Sequence, residues 1–222
     1  MRLGIFGGSF DPVHYGHLLL AESCREQCGL DEVWFVPAAA PPHKHERALT
    51  PSARRFEMLQ LAIAAHEQFR VSTLELGRSG LSFTVDTLTE LRRQRPDDEL
   101  FLLMGADSLR DLATWRDPRR ICELAIPVAV RRAGLPEPDL AVLDGLVEAV
   151  QRQAIERYRV QMPLVDFSSS DIRSRVASGR SIRYHTPRAV EEYIQSHGLY
   201  RGPDQGGTAS ADRGTRGAPN CG

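Results

Sequence analysis

The chain has 222 residues, of which 41% are hydrophobic and 26% charged, and its formal net charge is −1. That composition fits a globular protein with one sizeable core; it excludes a strongly basic surface for nucleic acid or acidic membranes, though not a local basic pocket. No apolar stretch is long enough to span a bilayer, and no signal peptide is expected, because the N-terminus runs straight into a strand pattern.

Leu3, Ile5 and Phe6 predict a strand over 2–6. It feeds Gly7-Gly8, a turn, and then His14 and His17 at the start of a helix over 16–28. Backbone N–H groups at such a helix start are unpaired and favour anions. Gly7 and Gly8 let the backbone approach a ligand closely, and Gly16 leaves a flat place for a ring. His14 and His17 lie three apart, on about the same helix face. The pattern is not the Gly-x-Gly-x-x-Gly dinucleotide fingerprint, and it lacks the Lys-Ser/Thr ending of a P-loop. Cys24 and Cys28 share a face of this helix. With Cys122 and Cys221 they are too few for a disulfide framework, and buried, inert thiols in a reducing cytoplasm are expected.

Further strands are predicted over 32–36, 69–74, 100–104 and 125–130, and helices over 51–65, 84–94 and 117–124. Thr50-Pro51 reads as a capping hydroxyl followed by proline at the first helical position. Phe56, Leu59 and Ile63 keep helical spacing, as do Val85, Leu88 and Leu91. After Gly134, Pro136 and Pro138 a helical pattern returns at Leu140, Leu143 and Val147. From about residue 163 a short strand, a serine-rich turn and two helices follow. Thr186-Pro187 opens the last helix and Gly198 ends it. Residues 201–222 hold six glycines and no large apolar side chain, so a dispensable disordered tail is expected. Alternating strands and helices imply an α/β fold: a doubly wound, mostly parallel sheet with helices on both faces and a small C-terminal helical part. Ligands bind such sheets beyond the carboxyl ends of the strands, here the loops after 6, 36, 74, 104 and 130.

Those loops carry unusual residues. Pro41-Pro42-His43-Lys44 holds a lysine out on a stiff loop, unless it is merely a solvated surface group. Ser82-Phe83-Thr84 brings hydroxyls and free N–H groups to a helix start, as capping groups, ligand donors or both. Gly105-Ala106-Asp107-Ser108 puts a carboxylate beyond a strand end, within reach of ribose hydroxyls. Trp115-Arg116 is a platform for a flat, electron-poor ring, or Trp115 is core. In Phe167-Ser168-Ser169-Ser170-Asp171-Ile172-Arg173, an arginine in the first turn of a helix faces an anion or pairs with a carboxylate such as Asp171.

Together these residues resemble the bacterial nicotinate-nucleotide adenylyltransferases, a branch of the nucleotidyltransferase superfamily, from Leu3 to about Tyr200. The superfamily motifs are His14-Tyr15-Gly16-His17 and Ser168 to Arg173. The branch is marked by Gly7 to His17, Pro42-His43-Lys44, Ser82 to Thr87, Gly105 to Ser108 with Trp115, and the ending from Arg183 to Tyr200. The resemblance implies one Rossmann-like domain over 1–200, with 163–200 as its helical C-terminal part. It implies adenylyl transfer from ATP to nicotinate mononucleotide in the cytoplasm, in NAD biosynthesis. His14, His17, Lys44 and Arg173 would contact the ATP phosphates. Gly7, Gly8, Ser9, Phe10, Gly16, Gly105, Asp107, Ser168 and Ser169 would complete the ATP site, Gly16 under the adenine and Asp107 on the ribose. Trp115 would stack on the pyridine, with the main chain near Thr84 and Arg116 receiving the carboxylate. Mg²⁺ would come with the ATP phosphates, with no protein metal site. Monomers or small homo-oligomers are implied, without nucleic acid or membrane partners. Phe167 and Ser170 depart from the Ile and Thr usual in the last motif, Ser170 keeping the capping hydroxyl. Arg116 stands where an aromatic residue is common. The same fold with nicotinamide mononucleotide, phosphopantetheine or riboflavin phosphate as acceptor is the nearest alternative. A non-catalytic adenine-nucleotide sensor is another.

Overall fold

Leu3 and Ile5 of the first strand turn to one side of a sheet and Phe6 to the other, and this alternation repeats along the central strands. The computed structural model describes residues 1–39, 49–78, 80–132, 134 and 136–202. Its strands are β1 (Arg2–Gly8), β2 (Glu32–Pro37), β3 (Phe69–Val71), β4 (Glu99–Gly105), β5 (Ile126–Arg132) and β6 (Val160–Met162). They form one six-stranded sheet in the order β3-β2-β1-β4-β5-β6, every pair parallel. The predicted parallel α/β sheet is therefore present.

Each crossover buries an apolar helix stripe, because a parallel sheet must be covered on both faces. On one face lie α1 (Tyr15–Cys28) and α2 (Ser52–Ile63), packed with Leu20, Cys24, Met58 and Leu59 against Phe6, Phe35, Phe101 and Val128. Helices α7 (Ser169–Ala177) and α8 (Arg188–Ser196) join that face through Ile172, Val190 and Ile194. The other face carries α3 (Thr84–Gln94), α4 (Ala106–Asp111), α5 (Pro118–Leu124) and α6 (Ala149–Arg157). There Leu88, Leu109, Ile121 and Ile155 pack against Leu3, Ile5, Leu100 and Leu102. From β1 the chain winds outward to β2 and β3, and from β4 it winds the opposite way. The loops after Gly8 and Gly105 therefore diverge and open a crevice at the switch point.

Several local expectations shift. Strand β3 stops at Val71, short of residue 74. Helix α2 starts at Ser52 with Pro51 as N-cap and no side-chain cap; Thr50 instead gives its N–H to Asp11 Oδ2 at 3.4 Å. The pattern at Leu140 and Leu143 makes only a 3₁₀ turn, because Gly145 takes a left-handed φ of 76° and breaks it; α6 begins later, at Ala149. The strand expected near 163 is β6, and it ends at Met162. Ser168, not Ser170, caps α7, accepting from Asp171 N at 3.1 Å. Gly198 does end α8: it takes φ 61°, and Leu199 N donates back to Ile194 O at 3.0 Å. The expected tail lies, from residue 203 onward, outside the described residues.

Candidate active site

The β1–α1 loop starts with a close approach. A Cβ on Gly8 would sit 2.9 Å from the Phe10 ring. Phe10 itself takes a left-handed φ of 45°, rare for a bulky residue. Its ring is 1% exposed and meets Phe6 and Phe35, which holds that conformation. Phe10 can therefore reach a ligand only through its backbone.

His14 is the N-cap of α1, and its backbone N–H donates to His17 Nδ1 at 3.2 Å. An Nδ1 that accepts leaves the proton of a neutral imidazole on Nε2, so Nε2 is the donor nitrogen of a neutral His17. The two imidazoles stack with centroids 3.7 Å apart, and the Phe10 ring edges onto His17 at 5.0 Å. A Cβ on Gly16 would come within 3.1 Å of His14 Nδ1, so that glycine makes room for the histidine.

The C-terminal helices grip this loop from outside. Three consecutive carbonyls accept from them: Asp11 O from Arg173 Nη1 at 2.7 Å, Pro12 O from Ser169 Oγ at 2.9 Å, and Val13 O from Thr186 Oγ1 at 2.8 Å. Tyr15 N donates to His185 O at 3.1 Å. The Asp11 side chain is 2% exposed and accepts from Tyr200 Oη at 2.6 Å. Burial and that bond push the Tyr200 phenol well above its ordinary pKa, so it stays a donor. Arg173 is the fifth residue of α7, not in its first turn, and its Nη1 donates to the Asp11 carbonyl.

Arg55 ties the neighbouring loops together. It is 1% exposed and donates to Thr50 O (2.8 Å), Ser9 O (2.8 Å) and Ala38 O (2.7 Å). Burial lowers its pKa, and the nearby Asp11 and Glu75 carboxylates counter that shift. The ends of β1, β2 and the α2 start are thereby fixed to one buried cation.

Beside this loop lies a cavity of about 440 Å³. Gly7, Gly8 and Ser9 line one part of it, and Thr84, Trp115 and Arg116 another, with Glu75, Ser82 and Phe83 also in its wall. Trp115 is half-buried against the core of the α3 face. Thr84 is the first residue of α3, whose opening N–H groups precede the first helical bond, from Thr87 N to Phe83 O. The Arg116 guanidinium lies over the Phe83 ring at 4.7 Å and 3.5 Å from Asp86, so its charge is partly balanced. Gly105 is the N-cap of α4, and Asp107 in its first turn is mostly exposed, 3.3 Å from Arg110. Lys44 lies outside the described residues. Among the described residues no group of three or more His, Cys, Asp or Glu could hold a metal ion. Cys24, Cys28 and Cys122 are buried free thiols, as expected, and burial raises Cys28 and Cys122 to about 11.

Sequence reasoning missed Arg55, Asp11, Thr186, Tyr200 and the wall residue Glu75. Arg55 had one available signal: it occupies the inward stripe of α2 one turn before Leu59, where an apolar residue belongs.

A doubly wound sheet with a His-x-Gly-His helix start at its switch point defines the class, a nucleotidyltransferase. The sequence profile of the family described as cytidylyltransferase-like matches residues 5–175. A Thermomicrobium roseum protein named "Probable nicotinate-nucleotide adenylyltransferase" is 50% identical over 200 residues, covering 90% of this chain and 92% of its own length. A Thermus thermophilus protein of the same name is 50% identical over 203 residues, covering 90% of this chain and 100% of its own. The chain belongs to the cytidylyltransferase-like family and, within it, to the nicotinate-nucleotide adenylyltransferases. The solved structure of "Plasmodium falciparum nicotinic acid mononucleotide adenylyltransferase complexed with NaAD" has the same fold at a TM-score of 0.71 and 19% identity, covering 90% of this chain and 97% of that one. No helix among the described residues is long and apolar enough to cross a membrane.

Proposed function

We propose that this enzyme transfers the adenylyl group of ATP to nicotinate mononucleotide, giving nicotinate adenine dinucleotide and pyrophosphate, in the cytoplasmic synthesis of NAD. The observation that carries the reading is the cavity. It joins the glycine loop, which leads into the stacked His14–His17 pair, to a wall of Thr84, Trp115 and Arg116. A mononucleotide fits that layout, with its ring on Trp115 and its phosphate toward Gly7–Ser9.

The substrate is ATP with its Mg²⁺, which reduces the charge of the triphosphate. An oxygen of the mononucleotide 5′-phosphate bonds to the α-phosphorus in line, and the bond from that phosphorus to the bridging oxygen of the β-phosphate breaks. Both electrons leave with pyrophosphate. The attacking phosphate is already anionic at neutral pH, so no protein nucleophile is required. The protein's work is to hold two anions together and to meet the charge that develops on the leaving group. His17 Nε2–H supplies one such donor. His14, Lys44 and Arg173 complete the phosphate contacts. The glycine loop, Gly16, Gly105, Asp107, Ser168 and Ser169 hold the adenosine, and the α3 N–H groups with Arg116 receive the nicotinate carboxylate.

The test is pyrophosphate release from ATP and Mg²⁺ with nicotinate and nicotinamide mononucleotides in parallel. A preference for the acid of about tenfold or more in kcat/KM, worth roughly 1.4 kcal/mol of transition-state binding, is expected. Preference for the amide would overturn the carboxylate site while keeping the chemistry. No release with either would overturn the reaction.

A further inference from the structure

Glu75 and Ser82 stand in the cavity wall with no part in the reaction above. Both are 7% exposed. One carboxylate oxygen of Glu75 is used: Oε1 accepts from Thr87 Oγ1 at 2.7 Å, and Thr87 Oγ1 accepts in turn from Arg78 Nη1 at 2.8 Å. That chain fixes the carboxylate in one orientation. Arg78 beyond the hydroxyl and Arg55 alongside balance part of its charge. Oε2 accepts nothing among the described residues, and the buried Ser82 hydroxyl has no partner among them either. A buried hydroxyl left in this way costs free energy unless a ligand supplies the missing bond, and the open Glu75 oxygen stands in the same cavity wall.

Their place along the cavity limits what that ligand group can be. Thr87, which orients Glu75, is one helical turn beyond Thr84. Arg55, whose charge Glu75 feels, donates to Ser9 O and Ala38 O at the other end. Glu75 therefore stands between the ring wall and the glycine loop. The proposed acceptor carries a carboxylate at one end and a phosphate at the other, and both would repel Glu75. Its middle is a ribose, whose two vicinal hydroxyls can donate. One open carboxylate oxygen and one open hydroxyl match that pair.

We infer that Glu75, held by Thr87, and Ser82 bind the ribose hydroxyls of the acceptor mononucleotide and make the cavity select ribosyl over deoxyribosyl acceptors; this rests on the adenylyltransferase reading. Neither residue touches the reacting atoms, so they act on specificity.

The test measures kcat/KM with ATP and nicotinate mononucleotide or its 2′-deoxy and 3′-deoxy analogues, for the wild type, Glu75→Ala and Ser82→Ala. The wild type should lose roughly 10- to 100-fold on the analogue lacking the hydroxyl that meets Glu75, the size of one charged hydrogen bond. Glu75→Ala should lose about as much on the ribosyl substrate and nothing further on that analogue, with KM for ATP unchanged. Ser82→Ala should show the same pattern with the other analogue, and it carries the test if Glu75→Ala does not fold. Variants that keep the wild-type preference for ribose overturn the inference and leave the adenylyltransferase reading standing. An equal Glu75→Ala loss on ribosyl and deoxyribosyl acceptors also overturns it, marking Glu75 as a charge facing the pyridinium. A wild type that turns over none of the three overturns the adenylyltransferase reading itself.

Discussion

His17 shows how one backbone bond sets the chemistry of a side chain. Its Nδ1 is occupied by the His14 N–H, so the ring can present only Nε2 to a ligand. Replacing it by alanine is expected to lower kcat/KM by roughly 10²- to 10³-fold, the loss typical of one transition-state donor. Steady-state kinetics with the melting temperature as control check this; an unchanged rate removes His17 from the reaction. Trp115→Ala should raise KM for the mononucleotide more than KM for ATP, and equal effects on both would exclude stacking on the pyridine. These residues were legible because each belongs to a short sequence motif, His17 just after β1 and Trp115 in the segment that follows β4 and α4. Arg55 and Glu75 were not. Their partners are set by the tertiary fold: Arg55 reaches Ser9, 46 positions away, and Glu75 answers to a hydroxyl on the next helix. No local spacing announces either contact.

At the scale of elements, α7 and α8 act as a brace on the β1–α1 loop. Thr186 looked like a helix cap in the sequence, since it precedes a proline at a helix start. In the structure its hydroxyl turns away to Val13 O and is buried. Thr186→Val preserves the shape and removes that bond, so it should cost about 1–3 kcal/mol of stability for the buried carbonyl left unpaired. It should also lower kcat, because Val13 adjoins His14. Chemical denaturation and kcat at saturating substrates read the two effects, and a stability loss with unchanged kcat would deny the brace a catalytic consequence. The long helices α1, α2 and α3 were legible from apolar periodicity. Shorter ones were misplaced where a single residue decided the matter: Gly145 cuts the pattern at Leu140 and Leu143. The cap of α7 fell to Ser168 because three consecutive serines offer the same hydroxyl and only the backbone turn selects among them.

For the whole molecule, strand and helix alternation carried the architecture, and the rule that ligands bind beyond the carboxyl ends of parallel strands selected five loops before any family was invoked. The order β3-β2-β1-β4-β5-β6 puts β1 and β4 side by side at the centre, so loops far apart in sequence share one edge. The same layering buries Cys24 and Cys28 under the sheet face and Cys122 under the other. With the thiols of Cys28 and Cys122 raised to about 11, only about one in a thousand is ionised at pH 8. These cysteines should therefore resist alkylation in the native protein at pH 8 and react once it is denatured. Mass spectrometry of the alkylated peptides reads this, and rapid native labelling at Cys28 or Cys122 would contradict the burial.

The brace also has a consequence in time. A ribosome delivers the β1–α1 loop first and the residues that hold it last: Asp11 waits for Arg173 and Tyr200, and Val13 for Thr186. A nascent chain halted before residue 165 could assemble all six strands and still lack every one of those donors. Nucleotide capture should therefore appear late in synthesis, as the C-terminal helices emerge, and a partly made chain would draw no ATP into an unfinished reaction.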